Sequence, residues 1–353
     1  MAAKLKVGIL GATGAVGQRF VQLLERHPWF EVVALYASER SAGKAYGQAV
    51  DWRLPVPQPT YLDDMVVRRL DPDGGVELVF SALPKAPALE MEPRFAAAGA
   101  AVVSNASAYR MAADVPLLIP EVNPEHTALI DHQRKARGWS GSLVTNPNCS
   151  VIGLVLALKP LEAAFGLRQV QVTTMQAKSG AGYPGPPPEV IGDNVLPYIG
   201  GEEDKLESEP LKLLGTLVGG AVRPAELVVS AQCNRVDVLD GHLEAVSVAL
   251  GERTSVAEVT RVLAEFRGLP QEAGLPSAPE QVIRVMAEQD RPQPRLDRDM
   301  GAGMTVTVGR IRPCPVLDYK FVVLSHNTIR GAAGAAILNA ELLCHQGYLA
   351  LPS

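Results

Sequence analysis

Cys149 stands where the sequence changes from polar and turn-rich to apolar. It follows Asn146-Pro147-Asn148 and precedes the apolar run 151–161. Asparagine is a preferred N-cap residue, so the sequence predicts a helix with Cys149 in its first turn. Unpaired main-chain N–H groups and the positive end of the helix dipole favour a thiolate there, which is the nucleophilic form of cysteine. The alternative is an inert buried residue, because many cysteines are of that kind.

Two later segments contain candidate partners for a nucleophilic cysteine. Gln176 ends an alternating segment, 169–176, and its amide could donate a hydrogen bond to a developing oxyanion. Arg235 and His242 flank a tight turn that contains Asp240-Gly241, and a histidine beside a thiolate could shuttle protons near neutral pH. A polar strand end and a hydrogen-bonded strand histidine are the alternatives, and sequence spacing does not exclude them.

A glycine-rich turn near the N-terminus predicts a dinucleotide site. It joins a predicted buried strand, 5–10, to a predicted helix, 18–26. In this context glycines let the main chain approach a pyrophosphate, and the helix N-terminus stabilises its charge. The spacing is G-x-x-G-x-x-G rather than G-x-G-x-x-G, and a purely structural turn is the alternative. The predicted contacts are Gly11, Thr13, Gly14, Ala15 and Val16.

The end of the next strand, 31–37, indicates which dinucleotide is bound. An enzyme that prefers NAD usually has an acidic residue there for the ribose 2′-hydroxyl. Here two hydroxyls and two cations follow, and they suit a 2′-phosphate better, so the sequence predicts NADP. Glu39 could instead face the ribose, and an ordinary solvated loop is the alternative. The predicted contacts are Ser38, Arg40, Ser41 and Lys44.

Two more predicted strands, 77–82 and 101–104, should end beside the cofactor, as strands do in open parallel sheets. The first places Ser81 there. The second leads into the polar loop 104–110, where Arg110 could bind an anionic group of a substrate. A surface arginine is the alternative reading of Arg110.

The totals describe an ordinary globular protein of 353 residues, long enough for two domains. A net charge of −5 argues against nucleic acid as the main partner. The four cysteines are far apart and lack metal-ligand spacing, so we expect neither a metal site nor a disulfide framework. No signal peptide or membrane span is evident, which predicts a cytoplasmic protein without a membrane partner.

The second half predicts an α+β region. Strands are expected at 226–234, 242–250, 304–311 and 319–325, and a charged helix after 197–201. Residues 270–294 are rich in proline, glutamine and glutamate and are predicted as loops or a short helix plus loop. A small-residue helix, 327–343, could pack closely on the nucleotide-binding part. The predicted fold class is α/β, a Rossmann-type nucleotide-binding domain plus an α+β catalytic and dimerisation domain.

With these residues in hand, the chain resembles the aspartate-β-semialdehyde dehydrogenase family, most closely the branch typical of archaea and fungi. The resemblance extends over nearly the whole length, and its motifs are individually modest but specific in combination. They are Gly-Ala-Thr-Gly-Ala-Val-Gly at 11–17, Ser-Asn-Ala-Ser-Ala-Tyr-Arg at 104–110, Asn-Pro-Asn-Cys at 146–149, Gln176 with the glycine-rich loop from 179, Gly-Glu-Glu at 201–203, Asn-Arg-Val with Asp-Gly-His at 234–242, and His-Asn-Thr-Ile-Arg-Gly-Ala at 326–332.

The resemblance implies residue roles. Cys149 is the implied nucleophile, His242 the acid/base catalyst, and Gln176 orients the acyl group. Arg235 is implied to bind the substrate carboxylate, and Arg110 to hold the phosphate. A glutamate of 201–203 is implied to bind the amino group, and Glu203 is preferred to Glu202. The nicotinamide is approached by Ser179, Gly180 and Asn327. Asp237 departs from the family pattern, which often has proline there, and its effect on the charge of Arg235 is open.

The implied reaction is the NADP-dependent reductive dephosphorylation of aspartyl phosphate to aspartate β-semialdehyde, in lysine, threonine and methionine biosynthesis. The implied domains are 1–145 with the C-terminal helix 327–353 for NADP, and 146–326 for catalysis and dimerisation. A homodimer or homotetramer is expected. A reductase of another activated acyl group, such as N-acetylglutamyl phosphate or malonyl-CoA, and a non-catalytic NADP-binding protein are the alternatives.

Overall fold

A computed structural model describes residues 3–72, 75–182 and 185–352 of the chain. Its first sheet contains five parallel strands in the order β2-β1-β3-β4-β5. Parallel strands are usually buried on both faces and therefore read as continuous apolar runs, as these do. They are β1 (Leu5–Leu10), β2 (Phe30–Tyr36), β3 (Leu78–Ser81), β4 (Ala101–Ser104) and β5 (Ser142–Thr145).

Helices connect these strands, as in a Rossmann-type sheet. They are α1 (Ala15–Leu24), the short α2 (Tyr46–Ala49), α3 (Lys85–Ala97) and α4 (Leu129–Arg137). The glycine turn lies between β1 and α1. Gly11 has a φ of +79°, and a Cβ on Gly17 would lie 2.2 Å from the Gly11 carbonyl oxygen, so both positions require glycine.

The predicted helix after Asn148 is α5 (Cys149–Phe165). The Asn148 side chain accepts a hydrogen bond from the Ser150 main-chain N–H (2.9 Å), so Asn148 is the N-cap as predicted. Residues 150–158 of the helix are buried on all sides, because they pack between the second sheet and the segment 117–122. Its first residue is therefore held at the boundary between the two halves of the protein.

The second sheet is mixed and has seven strands in the order β12-β13-β14-β11-β6-β10-β7. A separate hairpin, β8–β9, accompanies it. The strands are β6 (Leu167–Gln176), β7 (Val195–Leu196), β8 (Thr216–Val218), β9 (Ala221–Arg223), β10 (Val228–Val236), β11 (His242–Leu250), β12 (Ile283–Met286), β13 (Val306–Pro313) and β14 (Tyr319–Ser325).

The remaining helices are mostly short. They are α6 (Pro188–Ile191), α7 (Glu202–Leu213), α8 (Val256–Ala264), α9 (Leu269–Ala273), α10 (Pro294–Asp297) and α11 (Gly334–His345). The expectation for 270–294 was wrong in one respect, because β12 lies there and pairs in parallel with β13. Four residues at a sheet edge, between proline-rich and polar segments, give too little alternation to be recognised.

The C-terminal segment returns to the first sheet. A π-turn, Ile329–Ala333, precedes α11, and the apolar residues of α11 share one core cluster with β1 and α1. The predicted close packing on the nucleotide-binding part is therefore confirmed. No helix in the described ranges combines the length and the apolar character needed to cross a bilayer.

The side chain of a buried glutamate links the last residues of β3 and β4. Glu92 of α3 accepts hydrogen bonds from the hydroxyls of Ser81 (2.7 Å) and Ser104 (2.5 Å), and burial raises its pKa to about 7. A raised carboxyl pKa means that stability is lost as the pH rises from about 4.5 towards 7. At about 1.4 kcal/mol per pKa unit, the loss is roughly 3 kcal/mol.

Glu92→Gln should therefore melt several degrees higher than the wild type at pH 8 and differ little at pH 5. The amide keeps the shape of the protonated acid but does not ionise. Thermal melting of both proteins at the two pH values measures this, with the exposed Glu90→Gln in the same helix as control. An equal difference at both pH values would show that Glu92 does not titrate in this range.

Candidate active site

A cavity of about 300 Å³ lies where the two sheets meet. It brings together the start of α1, the loop after β4, the start of α5, the loop after β6, the start of α7 and the π-turn. The lining residues are Ala15, Val16, Leu83, Lys85, Asn105, Ala106, Ser107, Arg110, Asn148, Cys149, Ser179, Gly180, Gly182, Glu202, Lys205, Asn327, Thr328, Gly331 and Ala332.

Cys149 lines this cavity and forms a close pair with His242, which is fully buried. The sulfur Sγ lies 3.2 Å from Nε2 of His242. The main-chain N–H of Ala177 donates to Nδ1 of the same ring (3.0 Å). Since Nδ1 accepts, the proton of the neutral ring is on Nε2, facing the sulfur. The ring is thus held in one orientation and one tautomer by contacts at both nitrogens.

The electrostatics of the pair correct one expectation. Burial raises the pKa of the Cys149 thiol to about 12, and the charge of Glu202 acts in the same direction. Arg110, Arg235 and Lys205 lower this pKa, but by less. The helix terminus was expected to favour the thiolate of Cys149, but burial and Glu202 act more strongly in the opposite direction, because a helix dipole is worth only about 0.3–1 kcal/mol, less than one pKa unit. Burial also lowers the pKa of His242 to about 3, helped by Arg235.

Gln176, Arg235 and His242 lie on three neighbouring strands. Gln176 of β6 pairs with Arg235 of β10, and His242 begins the adjacent β11. Gln176 donates to a carboxylate oxygen of Glu202 (3.3 Å), and the Arg235 guanidinium donates to the Ala177 carbonyl oxygen (2.9 Å). All three side chains are buried beside the cysteine. The structure thus assembles residues that are far apart in sequence.

Gly180 packs directly against this group. A Cβ at this position would lie 2.7 Å from the Arg235 guanidinium and 2.8 Å from Cε1 of His242. Such distances leave no room for a side chain. Asn327 closes the other side, donating to the Ser179 hydroxyl (2.8 Å) and accepting from the Gly241 N–H (2.8 Å).

The structure places Glu202, not Glu203, in the cavity. One Glu202 oxygen accepts from the Asn148 amide (2.8 Å) and the other from the Lys205 ammonium (2.6 Å). Glu203 instead accepts from the main-chain N–H of Cys233 (3.0 Å). Successive helix residues are about 100° apart, so only one of the two can face the cysteine.

Arg110 also lines the cavity. Its guanidinium forms an ion pair with the buried Glu209 (3.0 Å) and donates to the Asn105 carbonyl oxygen (2.7 Å). Lys205 lines the same cavity. Two cations near one cysteine form an environment suited to an anionic substrate.

The predicted nucleotide contacts fall into three places. Ala15 and Val16 line the cavity, and Gly11, Thr13 and Gly14 form the turn before α1. The residues after β2 form a turn of their own, in which Ser38 borders a second cavity with Arg69 and Arg94, Ser41 is buried, and Arg40 and Lys44 are exposed. Ser81 is turned away, because its hydroxyl donates to Glu92.

Asp237 has a partner of its own. Its carboxylate forms an ion pair with Lys178 (2.5 Å), and both side chains are partly exposed. The shift in the pKa of Arg235 arises chiefly from burial, which lowers it. The charge of Asp237, where the family often has proline, is therefore balanced by Lys178.

A Rossmann-type sheet whose glycine turn opens towards a Cys–His pair defines a class, the dehydrogenases that combine a dinucleotide with a cysteine nucleophile. Family models match residues 6–130 (semialdehyde dehydrogenase, NAD binding domain) and 158–330 (semialdehyde dehydrogenase, dimerisation domain). The aspartate-semialdehyde dehydrogenase of Archaeoglobus fulgidus is 56% identical over 96% of this chain and 98% of its own. The chain belongs to the aspartate-semialdehyde dehydrogenase family.

Solved structures agree with this assignment. An aspartate semialdehyde dehydrogenase with NADP from Candida albicans is 46% identical, with a TM-score of 0.91 over 98% of this chain and 100% of its own. The Vibrio cholerae enzyme II complexed with ASA is 28% identical, with a TM-score of 0.76 over 98% and 99%. The predicted fold class and the family resemblance are confirmed.

Sequence reasoning did not identify the cavity residues Lys85 and Lys205, and it identified Asn148 only as a cap. It also missed Glu209, which is buried behind Arg110. One signal existed for Lys205. It lies three residues after Glu202 in a predicted helix, so the two side chains share a face.

Proposed function

We propose that the protein is an NADP-dependent aspartate-semialdehyde dehydrogenase. In the biosynthetic direction, aspartyl phosphate, NADPH and a proton yield aspartate β-semialdehyde, phosphate and NADP. The observation that carries the proposal is the cavity lined by Cys149, Arg110 and Glu202. The Cys149 sulfur lies 3.2 Å from Nε2 of the buried His242, and the charge of the buried Arg235 acts on the same sulfur. It is supported by the names of relatives that match over nearly the whole chain.

The residues present fit a dinucleotide. The turn from Gly11 to Gly14 has glycine at both ends and leads into the N-terminus of α1, where Gly14 is the N-cap. A Cβ on Gly180 would meet His242 and Arg235, so only glycine lets this part of the cavity wall lie against them. Ser179, Gly180 and Asn327 would hold the nicotinamide end. NADP, when bound, supplies or accepts the hydride.

The protein groups carry the acyl chemistry. Sγ of Cys149 attacks the acyl carbon, the carbon–oxygen bond to the phosphate breaks, the departing phosphate takes the thiol proton, and a thioester forms on Sγ. Arg235 binds the substrate carboxylate and Glu202 its amino group, while Gln176 orients the acyl oxygen. Arg110 and Lys205 hold the phosphate. His242 is the acid/base group, and it acts on the donor side first, because its Nε2–H faces the sulfur and can donate to the oxyanion that develops on the substrate.

The first test uses the purified protein with phosphate, NADP and aspartate β-semialdehyde, monitored by NADPH absorbance. Phosphate-dependent NADPH formation is expected. No turnover with this aldehyde, together with turnover of N-acetylglutamate semialdehyde or of malonyl-CoA and NADPH, would assign the same cavity to a sister reductase. No turnover with any of these substrates would favour a binding protein.

The cofactor preference gives a further prediction. Arg40→Ala with Lys44→Ala should raise the KM for NADP by about tenfold or more, because two charge-assisted contacts to the 2′-phosphate are lost. The KM for NAD, which lacks that phosphate, should change little. Steady-state kinetics with both cofactors measures this, with the exposed Lys135→Ala as control. Equal changes for both cofactors would refute the assignment.

We further propose that residues 1–145 with 327–353 form the NADP domain and 146–326 the catalytic and dimerisation domain. The second family model is described as a dimerisation domain, which supports a homodimer or homotetramer. Light scattering after size-exclusion chromatography tests this. Four free cysteines suit a reducing compartment, and we place the protein in the cytoplasm.

A further inference from the structure

Glu209 joins two parts of the cavity through one carboxylate. It lies in α7 and is 2% exposed. Oxygen Oε1 accepts from Nη1 of Arg110 (3.0 Å), and Oε2 accepts from the main-chain N–H of Asn148 (2.7 Å). Asn148 is the N-cap of α5 and precedes the nucleophile. The side chain therefore fixes the distance between the loop after β4 and the start of the Cys149 helix.

Arg110 depends on this anchor. Its Nη2 donates to the Asn105 carbonyl oxygen, so both ends of the guanidinium fork are held. Its buried Nε has no hydrogen-bond partner in the part of the chain that the structure describes. A buried donor without a partner is costly unless something else accepts from it. Two of the five guanidinium N–H groups thus orient the fork in advance, and the others can donate to an incoming anion.

The next turn of α7 holds the same loop. The ammonium group of Lys212 donates to the carbonyl oxygens of Arg110 (2.7 Å), Ala112 (2.8 Å) and Val115 (2.8 Å). Glu202, Glu209 and Lys212 are all buried. One face of α7 therefore contacts the start of α5 on one side and the Arg110 loop on the other.

We propose that Glu209 is a positioning residue that sets Arg110 in register with Cys149, so that the phosphate of the substrate and its acyl carbon are presented together. This rests on the proposed function for the identity of the substrate. Glu209 acts through Arg110 and does not itself contact phosphate, since two carboxylate oxygens already engaged with Nη1 and a main-chain N–H would repel an anion.

The test measures the KM for phosphate at saturating aldehyde and NADP. Glu209→Gln should raise this KM by about tenfold or more, because a charge-assisted anchor of Arg110 is lost. The KM for the aldehyde should stay within about twofold, since Arg110 does not hold the amino-acid part. Glu207→Gln, the same change at an exposed position of α7, should leave both constants unchanged.

A double-mutant cycle with Arg110→Gln separates positioning from general loosening. If Glu209 acts through Arg110, adding Glu209→Gln to that variant should change the phosphate KM by less than about twofold. The same increase in both backgrounds, or a folded Glu209→Gln with a phosphate KM within twofold of the wild type, overturns the proposal.

Two further measurements cover the remaining outcomes. Glu209→Asp is used if Glu209→Gln does not fold. It keeps the charge but is too short to reach both Arg110 and the Asn148 N–H, so its phosphate KM should be higher than that of the wild type. A wild-type phosphate KM would refute the proposal. Phosphate protection of Cys149 against iodoacetamide, read by mass spectrometry, needs no turnover. Weaker protection in the variant supports positioning even if the wild type fails to oxidise the aldehyde, and unchanged protection refutes it.

Discussion

Cys149→Ser should lower kcat by a factor on the order of 10⁴ or more, the loss typical of removing a covalent nucleophile. A serine hydroxyl is far less acidic than a thiol, and in this cavity burial already raises the pKa of the thiol to about 12. The substitution changes one atom at the start of α5, so the helix and its Asn148 cap should persist. The assay is NADPH formation from aldehyde and phosphate.

Two controls accompany this variant. Cys314→Ser, in the turn after β13 and outside the cavity lining among the described residues, should keep full activity. NADP binding and the melting temperature of Cys149→Ser should match the wild type, because the nucleotide contacts proposed above do not include the sulfur. Activity within about tenfold of the wild type would mean that the aldehyde is oxidised without a thioester on Cys149.

Much of the fold could be predicted because most strands and turns have a recognisable local sequence pattern. The strands 5–10, 101–104, 242–250 and 319–325 begin and end as predicted. Each is a short apolar or alternating run bounded by turn residues. The cap at Asn148 placed Cys149 within its helix for the same reason. The four-residue β12 has no such bounded pattern, and its pairing with β13 depends on tertiary contact.

The site was harder to predict, because its chemistry depends on which way neighbouring side chains point. Glu202 and Glu203 are equivalent by sequence, and only the register of α7 turns Glu202 to the cavity. Ser81 stands at the expected strand end, but Glu92 draws its hydroxyl away. The ionisation of Cys149 depends on its burial and on Glu202, neither of which is visible from a helix cap.

His242→Asn should lower kcat by about 10²–10⁴, the range typical of losing a positioned acid/base group.

The structure also predicts the pH dependence of the wild-type enzyme. The pKa of His242 is lowered to about 3, chiefly by burial. The imidazolium form is therefore populated only near that pH, and the ring stays neutral from pH 5 to 9. Its Nε2 proton, fixed by the Ala177 N–H at Nδ1, then faces Cys149 throughout this range. If His242 ionised in this range, wild-type kcat would show an inflection near pH 6.5 and His242→Asn would lack it. Because the ring stays neutral, we expect no such difference. The exposed His345→Asn is the control. Such an inflection would show that the ring ionises during turnover, against this prediction.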